Sequence, residues 1–407
     1  MNVLLVEPNF PIPTKSKNHK NFLPIGLLKL ASYLRKNNVK IKLKRGNPNS
    51  LEDIIDLEKF KPNEIWVTSL FTYWSVYVKD AVSYYKKLFP MSKVVVGGIY
   101  ASLIPDHCKR FTDCDEVYIG IHKEAENCFP AYDLVNVDYQ ILHTSRGCIR
   151  RCKFCGTYKI EPNFISKSSI KNEIKRNKLI FYDNNFLANK YIENILEELK
   201  NAKVNGRAVY SECQSGFDGR ILTRELAAKL KKARFINPRI AWDNSYDDYK
   251  DIERQISFLI DGGYNPKEIY IFMVYNYELP FEVMEEKRKE CYKWGVQISD
   301  CRFRPLDQTL ENYNSHKNNQ TGKDYYIHPN WSDKEAKEFR RNVRRQNICI
   351  RHGFPFYSKD FEHKKYNSEL LKRVKNLSNF NEKIELLNEY NIDYWIPDES
   401  EKLLLRK

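Results

Sequence analysis

Short β-type runs alternate with helical stretches twice along this chain, and that alternation restricts it to folds built on parallel sheets. In the first 130 residues NVLLVEP (2–8), VKIKLK (39–44), EIWVTS (64–69), KVVVGG (93–98) and EVYIG (116–120) read as strands. Between them, IGLLKLASYLRK (25–36) and VYVKDAVSYYKKLF (76–89) repeat apolar residues every three or four positions and read as helices. Strand, helix, strand in this order predicts a doubly wound parallel sheet with right-handed crossovers and a ligand crevice at the strands' carboxyl ends. VEPNFPIPTKS (6–16), VTSLFTYWS (67–75) and GGIYAS (97–102) are the loops that would face it, and paired glycines let a ligand approach the backbone closely. The second alternation runs from about 139 to 305 through QILHTS, KLIFYD, AVYSEC, PRIAWD, EIYIFMVY and VQISDCRF. Six such units predict a parallel barrel or part of one, with its active residues on the loops after the strands.

Beyond residue 305 the periodicity loosens. NYNSHKNNQTGKDYY reads as a polar linker, and a helix is predicted from SDKEAKEFRRNVRRQ, where Ser332 and Glu335 have capping-box spacing. The expected fold class is therefore α/β. Residues 1–135 form the doubly wound domain, 136–308 the partial (β/α)6 barrel, and 309–407 a mainly helical region.

The 407 residues are 42% hydrophobic and 14% aromatic, enough for two or three packed cores. No stretch approaches the roughly 20 apolar residues of a membrane span, and MNVLLVEPNF lacks a basic segment and a cleavage site, so a cytoplasmic protein is expected. Ten cysteines are too sparse for a disulfide scaffold, and in a reducing compartment a tight cluster more often binds metal or does redox chemistry. The net charge of +15 fits a polyanionic partner or simply a Lys-rich, Asn-rich composition.

SRGCIRRCKFCGTY (145–158) holds such a cluster. Cys148, Cys152 and Cys155 form C-x3-C-x2-C just past the first strand of the second alternation. Structural zinc usually takes four ligands, and no second C-x2-C knuckle follows. Ferredoxin-type clusters also take four thiolates. Three thiolates leave one iron of a [4Fe–4S] cluster open to a ligand from outside the protein. A chance run of structural cysteines is the bland alternative, opposed by the spacing, the position after a strand, and the adjacent Gly147 and Gly156.

This stretch resembles the radical S-adenosylmethionine (SAM) superfamily, whose signature is C-x3-C-x2-C after the first strand of a partial (β/α)6 barrel. The resemblance implies that the three cysteines ligate the cluster, that SAM chelates the fourth iron, and that reduction releases a 5′-deoxyadenosyl radical. It implies an electron donor such as flavodoxin or ferredoxin. Phe154 matches the aromatic that the family often places near the adenine. FYDNNF (181–186) resembles the second-strand segment, making Asp183 and Asn184 candidates for the SAM amino group. ECQSGFDGRILTREL (212–226) resembles the third, where Arg220 would pair with the SAM carboxylate. IAWDNS (240–245) resembles the fourth, placing Asp243 near ribose or substrate. Rival readings make Arg220 a helix-start ion pair and Asp243 an N-cap for YDDYKDIERQI. VQISDCRFRPLD resembles the closing strand, where Arg302 or Arg304 would point inward.

The first 130 residues are similar to the cobalamin-binding domain that precedes the barrel in one large radical SAM class. LLVEPNFP, FLPIGLLKLASYL, VTSLFTYW and VVVGGIYASLIP carry the similarity, and they make Ser69, Gly97 and Gly98 candidate corrin contacts. There is no D-x-H-x-x-G, so no histidine is evidently placed to ligate cobalt, and a corrin-free domain that buttresses the barrel is the alternative. Cys108, Cys114 and Cys128 fit no closed metal loop, and Cys213 and Cys301 fall at strand ends. Arg340, Arg341, Arg344 and Arg345 form two adjacent basic stripes, read as a solvated face or as a grip on phosphate. The leading expectation is a SAM-radical enzyme, with cobalamin-dependent methyl transfer as the first subtype and a small molecule or peptide as substrate. A nucleic-acid-modifying enzyme and a non-catalytic Fe–S protein are the alternatives.

Overall fold

The computed structural model describes residues 1–12, 22–363 and 368–398. The chain divides into two compact units. The first comprises Met1–Ser215, Arg304–Asn314 and Gln320–Tyr326; the second comprises Gly216–Phe303, Ser315–Asn319 and the chain from Ile327 onward.

The first unit opens with strands β1 (Asn2–Glu7), β2 (Lys40–Arg45), β3 (Glu64–Ser69), β4 (Lys93–Gly98) and β5 (Glu116–Val117), which form one five-stranded sheet in the order β2-β1-β3-β4-β5. Every pairing in it is parallel. Helices α1 (Ile25–Lys36), α2 (Leu51–Phe60), α3 (Ser75–Leu88), α4 (Ile99–Leu103) and α5 (Pro105–Thr112) make the crossovers. Successive side chains of β1 alternate between two cores, which is why its apolar run is unbroken. Val3 and Leu5 pack with Leu27, Ala31 and Leu34 of α1, whereas Leu4 and Val6 pack with Val78, Ala81 and Tyr85 of α3. The strand expected over 116–120 is shorter, ending at Val117. The latter part of the loop expected after β1, from residue 13, lies outside the described residues.

GGIYAS is not a loop. α4 starts at Ile99, directly after Gly98, because Ser69 supplies the turn that joins strand to helix: its hydroxyl donates to the Gly97 carbonyl at 2.8 Å and accepts the Ala101 N–H at 3.1 Å. Gly98 has φ +98°, and a Cβ there would run into the Ser69 backbone carbonyl. Gly98→Ala is therefore expected to cost at least about 2 kcal/mol, through left-handed backbone strain and the clash together. Gly97→Ala is expected to be far milder, since its methyl would meet Tyr118 Cβ at an ordinary 3.6 Å. Denaturant midpoints of the two variants check this.

The first unit continues through α6 (Lys123–Glu126) to β6 (Gln140–Leu142), β7 (Ser145–Arg146), α7 (Thr157–Ile160), β8 (Ile165–Ser166), β9 (Lys178–Phe181) and α8 (Ile192–Asn201). The hairpin of β10 (Lys203–Val204) and β11 (Arg207–Ala208) leads to β12 (Tyr210–Cys213). β6, β9 and β12 pair in parallel, and β7 pairs antiparallel with β8.

In the second unit, α9 (Arg224–Lys232), β13 (Arg239–Ala241), α10 (Tyr249–Asp261), β14 (Tyr270–Tyr275), α11 (Phe281–Lys293) and β15 (Gln297–Arg302) again alternate, and the three strands form a parallel sheet in sequence order. The six strands expected of a partial barrel are thus present as two parallel triplets, one in each unit. α12 (Asp333–His352) has the capping box read from Ser332 and Glu335. It also closes the open edge of β15: Asn347 accepts the Ile298 N–H at 2.9 Å and donates to its carbonyl at 2.7 Å, as a neighbouring strand would. A C-terminal core of Phe356, Leu370, Val374, Leu387 and Ile392 is built partly from helices over 368–376 and 380–389. Among the described residues no helix is long and apolar enough to cross a membrane.

Candidate functional site

The three signature cysteines sit on an excursion from the carboxyl end of β6, tied at its base by the β7–β8 pair. Glu161 closes the excursion from within, bonding the Arg146 guanidinium at 2.7 Å and the Gly147 N–H at 2.6 Å. Gly147 has φ +75°, and a Cβ there would strike the Asn163 carbonyl, so the chain crosses itself where only glycine fits. Gly156 packs on Leu103 and Leu306, whose methyls would stand 3.1 and 3.4 Å from an added Cβ. Between these points the Cys155 N–H bonds the Cys152 carbonyl at 3.0 Å, and the Arg150 N–H points at Cys148 Sγ at 3.3 Å. All three cysteines, and Phe154 among them, are partly buried, and none forms a disulfide.

Among the described residues no three His, Cys, Asp or Glu side chains are grouped to hold a single metal ion. A cubane cluster asks for a different arrangement, because each thiolate binds a separate iron and the sulfurs stand around the cluster instead of meeting at one point. Three soft thiols on one tethered loop are a donor set that fits it.

Asp183 supports this loop from beneath. It is fully buried at the end of β9, and its carboxylate accepts the Thr144 and Ser145 N–H groups at 2.9 and 2.6 Å and their hydroxyls at 2.6 and 2.8 Å. Burial raises its pKa while those four donors pull it back. Asp183 is thus turned toward the β6–β7 corner. Asn184 is exposed and accepts the Thr157 hydroxyl at 3.3 Å, next to Cys155, whose thiol lies 3.2 Å from the same oxygen. Asn185, not singled out from the sequence, is buried and places its amide nitrogen 3.8 Å from Cys148 Sγ. Its signal was its place beside two candidates in FYDNNF.

Arg220 and Asp243 belong to the second unit. Arg220 is exposed and bonds Asp218 at 2.8 Å. Asp243 follows β13 and does not cap a helix; Ser245 does so for the turn that leads into α10. Its Oδ1 is buried without a hydrogen-bond partner, and burial lifts the carboxyl to about 6 against the attraction of Lys287 and Arg220. Lys287, another residue the sequence did not reveal, is buried on α11 and donates to the Trp242 and Asn244 carbonyls at 2.7 and 2.8 Å, so it clamps the chain on both sides of Asp243. Arg302 is buried at the end of β15. Arg304 lies in the first unit, 3.5 Å from Glu311 and over the Tyr73 ring at 4.4 Å.

At the carboxyl ends of the five-stranded sheet, the candidate corrin residues serve the fold itself. The Ser69 hydroxyl hydrogen goes to Gly97, and the missing side chain of Gly98 makes room for Ser69. Phe10 stacks on Trp74 at 5.3 Å and Phe71 on Tyr73 at 5.0 Å beside them. Ser69 and Gly98 are thereby accounted for by the fold without a corrin, whereas a methyl on Gly97 would meet only Tyr118, at 3.6 Å.

Of the four C-terminal arginines, Arg344 pairs with Glu362 and Arg345 lies over the Tyr357 and Trp395 rings. Arg340 acts electrostatically on the half-buried Asp300, partly offsetting the desolvation that leaves its carboxyl raised at about 6. Glu335, on the same helix, is engaged by the Ser332 cap.

His143 is buried after β6, and burial with the nearby Arg146, Lys29 and Lys167 holds its pKa well below 6.5. Those cations are matched by Glu161, Glu126 and Glu173. The native imidazole is therefore neutral where the unfolded one takes a proton. Its contribution is complete above pH 6.5 and declines below it, by about 1.4 kcal/mol per pH unit, until the native group titrates. His143→Gln is expected to flatten the fall of unfolding free energy between pH 6.5 and 5, measured by denaturant melts at each pH.

The fold and site together define a mixed α/β protein with a five-stranded parallel sheet and a three-thiol loop at a strand's carboxyl end. No family model matches the chain, and no curated protein matches it. Among solved structures it is similar to the apo, selenomethionine-labelled form of OxsB, a cobalamin-dependent S-adenosylmethionine radical enzyme, at 16% identity and a TM-score of 0.48. The match covers 72% of this chain and 51% of that one, so the chain spans about half the length of the structure it matches.

Proposed function

We propose that this chain is a radical SAM enzyme, with Cys148, Cys152 and Cys155 as the protein ligands of a [4Fe–4S] cluster. The observation that carries the reading is the three-thiol loop itself, anchored by β7–β8, Glu161 and Asp183 at the end of a parallel strand. When bound, the cluster and SAM supply a 5′-deoxyadenosyl radical that takes hydrogen from an unactivated position. The chain's own residues bind and orient. Asp183 fixes the corner from which the loop departs, and Asn184 offers an exposed amide beside it. The Arg220 guanidinium suits a carboxylate, the buried Asp243 Oδ1 suits a hydroxyl donor such as ribose, and Phe154 offers a ring to the adenine. In this reading residues 136–308 are the catalytic domain, 1–135 the doubly wound domain before it and 309–407 a helical addition. The electron donor is of the flavodoxin or ferredoxin kind. A small molecule or peptide is favoured as substrate because Arg344, Arg345 and Arg340 already answer to groups of their own chain.

The test is anaerobic reconstitution. The protein is expected to hold about four irons per chain with broad visible absorbance, and to release 5′-deoxyadenosine from SAM on reduction. A reconstituted protein without iron would refute the proposal. Retention of a stoichiometric corrin through gel filtration would assign the methyl-transfer subtype; its loss would make the first unit a corrin-free support.

A further inference from the structure

The segment that carries the thiols is strongly basic. From Ser145 to Ser168 there are six cationic side chains, Arg146, Arg150, Arg151, Lys153, Lys159 and Lys167, and one carboxylate, Glu161. Glu161 is consumed within the loop by Arg146 and the Gly147 N–H, and Lys167 is matched from outside by Glu173. Arg151, Lys153 and Lys159 are exposed to solvent, and Ile149, between the first two cysteines, is 49% exposed. Ile149, Arg151 and Lys153 lie between the anchors at Gly147 and Gly156, and Lys159 follows them on α7. A solvated basic stretch needs neither an exposed isoleucine nor a place among the thiols. A protein that delivers electrons to this loop needs both: short-range apolar contact to bring the redox centres close, and long-range charge to steer the encounter.

We propose that the outer surface of this loop, Ile149 with Arg151, Lys153 and Lys159, is the docking site for an acidic electron-donor protein. The inference rests on the cluster reading above and names the surface its partner uses. RNA could also be drawn to three exposed cations, but the redox function belongs to the thiols they surround, and electrons must reach that point whatever the substrate.

The test compares the reconstituted wild type with the Arg151→Glu, Lys153→Glu, Lys159→Glu variant and with the corresponding triple Ser variant, which keeps the loop uncharged. Reduced flavodoxin, an acidic flavoprotein, is one reductant and dithionite the other. All three proteins are expected to carry equal iron and to be reduced equally by dithionite. Reduction by flavodoxin should slow about tenfold or more in the Glu variant and less in the Ser variant at low ionic strength, and the wild-type rate should fall steeply with added salt. Equal flavodoxin rates and equal salt dependence in all three proteins, with iron intact, would overturn this inference and leave the cluster reading standing. The same holds if the substitutions abolish binding to a generic single-stranded RNA while flavodoxin is unaffected. A wild type that takes up no iron would instead overturn the cluster reading, and this surface with it.

Discussion

The variant with Cys148, Cys152 and Cys155 all replaced by alanine is expected to fold and to bind no iron. All three thiols are only partly buried, and none belongs to the cores built around Leu4, Val3 and Leu28. Their removal therefore takes away little apolar burial, and the melting transition should shift by no more than about 1 kcal/mol. Iron should fall from about four per chain to background, together with the visible absorbance, because all three thiolate ligands of the proposed cluster are gone. Cys108 and Cys114 are buried in the core of the five-stranded sheet, and Cys213 is buried at the end of β12. Colorimetric iron determination with a parallel denaturant melt is the measurement. Full iron content in the triple variant would remove the basis of the functional reading.

Replacing Asp183 by alanine should act in the opposite manner, on the fold first and on the cluster through it. The carboxylate is the common acceptor for two backbone N–H groups and two hydroxyls, on Thr144 and Ser145, which are themselves buried. Alanine would leave these donors without an acceptor in a site closed to water. Each such group costs about 1–3 kcal/mol, so a loss of about 3 kcal/mol or more is expected after partial relaxation. Asp183→Asn keeps one acceptor oxygen but turns an NH2 toward the same donors, and should fall between wild type and alanine. The corner held by Asp183 is where the cysteine loop begins, so Asp183→Ala should also lower iron retention during gel filtration. Loss of iron without loss of stability would instead make Asp183 a direct contact of the cofactors.

Both expectations depend on different kinds of information in the chain. The strands of the first sheet were readable because their signal is local: an unbroken apolar run such as VLLV can be buried on both faces only in a central parallel strand, and helices α1 and α3 show their period in a dozen residues. The same holds for the Ser332–Glu335 capping box, whose partners are three residues apart. Cysteine spacing is local too, and it was enough to propose a cluster ligand set.

What each polar side chain does was not readable in this way. FYDNNF offered Asp183 and Asn184 as equal candidates, yet one is fully buried against residues 38 and 39 positions away while its neighbour is exposed beside Thr157. Gly98 looked like room for a ligand until the neighbouring strand brought the Ser69 carbonyl into that space. GGIYAS looked like a loop until the Ser69 hydroxyl, reaching across from β3, supplied the missing partner for the Ala101 N–H. The sequence by itself determined the alternation of strands and helices and the spacing of the three cysteines, because periodicity and short-range spacing are written in consecutive residues. Only the tertiary structure decided which donors and acceptors are consumed by the fold, because hydrogen-bond partners are chosen by distance in space, and folding brings together groups that no local pattern connects.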